Sequence, residues 1–178
     1  GGTPVWSRQV GGELLATPVI SGDSVYVSTI HGMTFRFDHR TGKTRWVKPL
    51  RATTAPWIVG DELYVMGQDF PNSQQAKPIV HVYSTVDGAW LRTIAPPLQD
   101  VRETTVVCDE TCTHGLVAGQ DYMTTGRNSL WRFDMATGAL IGDPKLFEST
   151  SMHGPPMVDW RADAVLITRV LQYFEDTI

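Results

Sequence analysis

Short stretches of this chain alternate between apolar and polar residues with period two. Met33-Thr34-Phe35-Arg36-Phe37-Asp38 and Ser129-Leu130-Trp131-Arg132-Phe133-Asp134 are examples, and each reads as a strand with one buried face. A second pattern sets two apolar runs around a Gly-Asp pair. It runs from Thr17 through Gly22-Asp23 to Val27, and again from Ala55 through Gly60-Asp61 to Val65. Such a pair between apolar strands marks a hairpin turn. Residues 155–167 give a third version. Val106-Val107-Cys108 followed by His114-Gly115-Leu116-Val117-Ala118 gives a fourth, with a longer turn. Helix-period segments with caps are absent, and Val170 to Phe174 fits either element.

The alternating strands lead into a recurring turn. Its fullest copy is Asp38-His39-Arg40-Thr41-Gly42-Lys43-Thr44-Arg45-Trp46, echoed at Thr85-Val86-Asp87-Gly88-Ala89-Trp90 and at Asp134-Met135-Ala136-Thr137-Gly138-Ala139-Leu140-Ile141. Gly2 to Trp6 repeats the spacing of Gly42 to Trp46. Asp and Thr at such sites bond their own backbone, and Gly supplies the left-handed residue. The Trp on the strand that follows can cover a neighbouring unit. Gln68-Asp69-Phe70 matches Gln120-Asp121-Tyr122, and Arg51-Ala52-Thr53-Thr54 matches Arg102-Glu103-Thr104-Thr105.

Each unit therefore holds four strands and recurs about every 40–50 residues, the spacing of propeller blades. The expected fold is all-β: a β-propeller of four-stranded antiparallel blades, about four blades' worth in one domain or partial propeller. The blades fall at about 17–50, 54–95, 104–143 and 155–178, the last completed by residues 4–9. A complete small ring and a segment of a larger one both accommodate this, as do two chains joined into one ring. The missing initiator Met and the stop at Ile178 inside a unit favour the segment. Ring closure would remove exposed sheet edges.

Composition narrows the function classes. The apolar 42% is spread in short runs, too short for a membrane-spanning helix. The net charge of −4 comes from 15 basic and 19 acidic residues. They are scattered, with no basic patch interleaved with aromatics, so nucleic acid is not an expected partner. Six Trp, 16 Gly and 11 Pro suit a turn-rich β chain.

The Asp-x-x-Thr-Gly-x-x-x-Trp run at Asp38 to Trp46, with the Pro-containing Gly-Asp hairpin before it, resembles the repeat of pyrroloquinoline-quinone (PQQ)-type β-propellers. The resemblance spans essentially the whole chain, although the Asp position becomes Ser84 in the second unit. The Trp position becomes Arg92 there and Gly142 in the third. It implies a fold shared by quinoprotein dehydrogenases, the propeller lipoprotein of outer-membrane protein assembly, and kinase sensor domains. The motif residues Asp38, Thr41, Gly42, Trp46, Asp134, Thr137 and Gly138 are read as structural, so fold alone does not fix function. An enzyme of this family would hold PQQ with Ca²⁺ and an aspartate base, roles that Asp69 and Asp121 could fill, although no spacing singles them out.

Three local features carry candidate chemistry. Cys108 and Cys112 flank a hairpin turn, close enough for a disulfide and an oxidising compartment. Free thiols or a metal site with His114 remain alternatives, although three ligands leave a tetrahedral site incomplete. His31, Gln68, Asp69, Gln120, Asp121 and Arg127 fall between second and third strands. Arg51, Arg102, Glu103, Glu148 and His153 fall between blades. Both sets of loops emerge on one face of a propeller, where binding residues concentrate. The expected function is a non-catalytic scaffold or protein-interaction module in the periplasm or outside the cell. Its contacts would come from that face, from the insertion Asp69 to Pro78 and from the connection Ala95 to Arg102. A PQQ-dependent oxidoreductase and a ligand-sensing domain are the alternatives.

Overall fold

The computed structural model describes residues 3–52, 54–69, 77–98, 101–121, 127–147, 157–159, 161–162 and 164–166. Among them there is no helix, and the strands form three four-stranded antiparallel sheets and one two-stranded hairpin. The first sheet is β1 (Val19–Ser21), β2 (Ser24–Ser28), β3 (Thr34–Asp38) and β4 (Thr44–Lys48), in sequence order. The second is β5 (Trp57–Val59), β6 (Glu62–Asp69), β7 (Lys77–Ser84) and β8 (Trp90–Ile94). The third is β9 (Val101–Cys108), β10 (His114–Asp121), β11 (Arg127–Asp134) and β12 (Lys145–Phe147); β13 (Met157–Asp159) pairs with β14 (Ala164–Leu166). This is a β-propeller pattern with three complete blades among the described residues; most of the fourth, expected at 155–178, lies outside them.

Residues 4–9 join no strand. Trp6 instead lies on the first sheet, with its Nε1–H donating to the His39 carbonyl at 2.8 Å and its ring 6.1 Å from Phe37. The Arg8 guanidinium donates to the Gly42 carbonyl at 2.7 Å. Further along, Leu14 bridges Thr29, at the end of β2.

The chain divides into two compact units, one of residues 1–68 and 79–95, the other of 69–78 and 96–178. In the first unit two sheets pack face to face. Tyr26, Trp46 and Leu50 from the first sheet and its exit meet Leu63 and Val65 from β6, with Val19, Ala52, Ile58 and Tyr83 packed around them. Burying side chains of this size contributes roughly 1.5–3 kcal/mol each. The opposite face of the first sheet buries Val25, Val27 and Phe37 under Trp6, Val10 and Phe35. Strand β2 is thus buried on both faces, which explains why Ser24-Val25-Tyr26-Val27-Ser28 is fully covered. In the second unit Val106, Val107, Leu116, Val117, Leu130 and Phe133 are buried in the third sheet.

One turn geometry repeats in all three sheets. The N–H of Asp38, Ser84 and Asp134 donates to the carbonyl five residues on (Lys43, Ala89, Ala139), at 2.8 Å in each case. Gly42, Gly88 and Gly138 donate back to those same residues and take φ of +65°, +70° and +74°. A third bond ties each turn to the preceding hairpin: His39 N to Asp23 O, Thr85 N to Asp61 O, Met135 N to Thr113 O. The third sheet departs after its turn. Ala139 to Ile141 makes one bridge, Leu140 to Phe133, and the outer strand β12 starts only at Lys145, beyond Gly142 and Pro144.

Candidate functional site

The turn residues behave as a backbone device. Asp38 Oδ1 accepts from the N–H of Arg40 at 3.1 Å, the N–H of Thr41 at 2.8 Å and the Thr41 hydroxyl at 2.8 Å. Asp134 accepts the same three bonds from Ala136 and Thr137, at 3.0, 2.8 and 2.8 Å. These donors hold both carboxyls below the usual carboxylate range; for Asp38 the largest cause is the Arg45 guanidinium, for Asp134 the Thr137 hydroxyl. Arg45 reaches Asp23 at 2.6 Å and Asp38 at 2.7 Å, closing the first hairpin onto the turn. Trp46 Nε1 donates to the Thr85 carbonyl at 3.0 Å, the same position in the second turn that His39 occupies under Trp6. The motif Trp therefore joins one sheet to the next within the first unit.

Cys108 and Cys112 are joined by a disulfide, with Cα atoms 5.0 Å apart. It spans the β9–β10 turn, where Cys112 takes a left-handed φ of +49°. The first and second sheets use Gly22 and Gly60 in that region of φ. Asp109, buried beside the disulfide, accepts from the N–H of Thr113 at 2.7 Å and of His114 at 3.1 Å, and lies 3.2 Å from His114 Nδ1. Among the described residues no group of three or more His, Cys, Asp or Glu is placed to hold a metal ion, His114 with the two cysteines included.

The expected binding residues gather at strand ends within each unit. In the first unit, the N–H of Arg51 donates to the Gly32 carbonyl at 3.0 Å. Arg51 takes φ of +24°, a conformation that favours glycine and costs a non-glycine residue about 1–2 kcal/mol. Its neighbours are pared down to admit it. A side chain at Gly32 would meet Arg51 Cγ at 3.2 Å, and one at Gly67 would meet the Arg51 carbonyl at 3.1 Å. His31, next to Gly32, lies against Gly12. Both Arg51 and His31 are exposed. Nothing in the sequence signals the strain at Arg51, because Arg is not a turn residue. Gln68 and Asp69 end β6, directly after Gly67.

In the second unit the pairing is Gln120 with Arg102 and Asn128, and Asp121 with Val101 and Arg127. One end of the third sheet thus brings Arg102, Gln120, Asp121 and Arg127 together. Glu148, His153 and most of the Asp69–Pro78 insertion lie outside the described residues.

The family model of outer membrane protein assembly factor BamB matches residues 1–100, more than half of the chain. The chain belongs to this family of PQQ-like repeat proteins. BamB from Shewanella oneidensis is 27% identical over 141 residues, covering 79% of this chain and 35% of that protein. The chain thus spans about a third of that relative. The crystal structure of BamB from Moraxella catarrhalis superposes with a TM-score of 0.58 at 19% identity, over 93% of this chain and 46% of that one. The computationally designed Ika4 protein superposes with a TM-score of 0.59 at 13% identity, over 96% of this chain and 99% of its own. These structural likenesses concern the propeller fold.

Proposed function

We propose that this chain is a non-catalytic propeller module of the periplasm that binds protein partners through the strand ends around His31 and Arg51. Membership of a family described by outer membrane protein assembly supports a polypeptide partner from that process. The observation that carries the site is Arg51. Its backbone takes a left-handed φ, bonded to the Gly32 carbonyl and passing close to Gly67, and its side chain is exposed with no carboxylate paired to it among the described residues. Strain held in place by surrounding structure is a mark of functional positions, and Arg is enriched among residues that dominate interfaces. The disulfide at Cys108 and Cys112 is consistent with an oxidising compartment.

Photo-crosslinking tests the reading. A benzophenone side chain placed at residue 51 in periplasm-targeted protein should trap a component of the outer-membrane assembly machinery, identified by mass. The same group at residue 40, on the far turn, should not. R51E should cut capture from a probe at residue 31 roughly tenfold. Equal capture at residues 40 and 51 would remove the assignment.

A further inference from the structure

Away from the strand ends, the second sheet carries a side-chain cluster that the repeat does not require. Trp90 opens β8 and is 60% exposed. Its indole is nevertheless fixed, because Nε1–H donates to Thr93 Oγ1 at 3.2 Å. The same hydroxyl is bonded to His81 Nδ1 at 2.7 Å, across the β7–β8 pairing of His81 with Thr93. The His81 ring stands 6.1 Å from that of Tyr83, inclined at 57°. In the first sheet the corresponding positions are Thr44, Val47, Phe35 and Phe37. The turn and the joint between sheets form there without the cluster.

We propose that Trp90, Thr93, His81 and Tyr83 form a binding platform for a neutral saccharide. A sugar ring has an apolar C–H face and a rim of hydroxyls. The exposed indole offers a broad apolar surface. Imidazole, hydroxyl and phenol groups each donate and accept hydrogen bonds, as a hydroxyl rim demands. Burial pushes the His81 imidazole down and the Tyr83 phenol up, so both are neutral near pH 7. Arg92, the charged group on this strand, is committed to Glu62, so the platform offers little to an anion. A proline-rich segment docking on an aromatic groove would draw on the indole N–H, which here is engaged by Thr93. The fixed indole has little freedom left to lose on binding, which favours association.

The test uses the 178-residue chain labelled with ¹⁵N and titrated to millimolar cellotriose, chitotriose or maltotriose. At least one trisaccharide should give a saturable shift of the Trp90 indole resonance while the β2–β3 loop signals stay in place. T93V, which frees the indole without removing it, should weaken that binding roughly tenfold. W90A should abolish the shifts at His81, with the β5–β7 amide signals confirming an intact sheet. The proposal fails if none of the three sugars gives a saturable shift, or if the His81 shifts survive W90A. It also fails if a proline-rich decapeptide moves the same resonances at lower concentration than any sugar. None of these outcomes bears on the partner-binding role of Arg51.

Discussion

On the first sheet, the outer strand carries Trp46 into a buried joint, where its indole bonds the Thr85 carbonyl and packs on Tyr26 at 6.1 Å. On the second sheet the same position is Arg92, which forms a two-bond pair with Glu62 and reaches the Tyr64 hydroxyl at 3.2 Å. Both sheets cover their central tyrosine with a guanidinium, Arg36 at 5.9 Å from the Tyr26 ring and Arg92 at 5.8 Å from the Tyr64 ring. The cation comes from β3 in one and from β8 in the other. Turn chemistry is redistributed in the same way. Ser84 Oγ accepts from Val86 N where Asp38 accepts from Arg40 N, and Asp87 accepts from Ala89 N in the role of the Thr41 hydroxyl. The two sheets share a backbone and a set of tasks, while the residues performing them change. A repeat can therefore lose its signature and keep its fold.

The largest difference between the sheets should appear on truncating the joint. Trp46→Ala removes a buried aromatic and one of the two side-chain donors to the Thr85 carbonyl, the Arg36 guanidinium being the other, at a cost of about 3–5 kcal/mol. In a domain of this size that lowers the thermal midpoint by on the order of 10 °C. Arg92→Ala removes a partly exposed ion pair and should cost about 1 kcal/mol or less. Parallel thermal melts followed by circular dichroism decide the matter. Equal losses in the two variants would mean that Trp46 is no more a joint than Arg92.

This difference also explains which parts of the molecule were legible in the sequence. The turn was, because Asp38, Thr41 and Gly42 act on backbone within four residues of themselves, and Asp134, Thr137 and Gly138 repeat the arrangement. The hairpins were, because their apolar alternation surrounds Gly22-Asp23 and Gly60-Asp61. The strand expected at residues 4–9 was not. Trp6 has the spacing of Trp46 and docks on an equivalent carbonyl, yet the residues around it form no strand. Contacts set by register were equally hidden: Arg92 finds Glu62 from 30 residues away, and Trp90, Thr93 and His81 meet only once β7 and β8 are aligned. At the strand ends, the choice of His31, Arg51 and their counterparts followed from loop position alone. The left-handed φ of Arg51 and its close approach to Gly32 and Gly67 arise only in the folded chain.

Glycine positions sharpen the comparison at intermediate cost. Gly42 has φ of +65°, and a Cβ there would come within 2.5 Å of Trp6 Cδ2. Gly22 has φ of +57° with nothing within 4 Å of that position. Gly22→Ala should therefore cost only the left-handed backbone penalty, about 1–2 kcal/mol. Gly42→Ala adds the displacement of Trp6, a further ~1–3 kcal/mol. Urea unfolding of both variants checks the order. Combining Gly42→Ala with Trp6→Ala should cost less than the sum of the two single changes, since the clash and the lost packing concern one contact. Strict additivity would show that Trp6 does not rest on this turn in solution.

The smallest effect separates the sheets by charge. The Arg92 guanidinium, with help from the Tyr64 hydroxyl, pulls the Glu62 carboxyl from its ordinary 4.5 down to about 2. The folded protein thus binds this proton more weakly than the unfolded chain does. The pair's contribution is complete above the unfolded value and fades as pH falls from about 4.5 through about 2. Side-chain exposures of 33% and 43% admit solvent screening, which limits the contribution to about 1 kcal/mol or less at neutral pH. Glu62→Gln should lower stability by that amount at pH 7 and by progressively less on acidification, so the two urea midpoints converge toward pH 2. Comparing the variant with the unmodified chain cancels the acid response of Asp38, whose carboxyl is held low by Arg45 in the first sheet. High salt should shrink the neutral-pH difference further. A difference independent of pH would assign the loss at Glu62 to packing, leaving Arg92 as a cover for Tyr64 with no role for its charge.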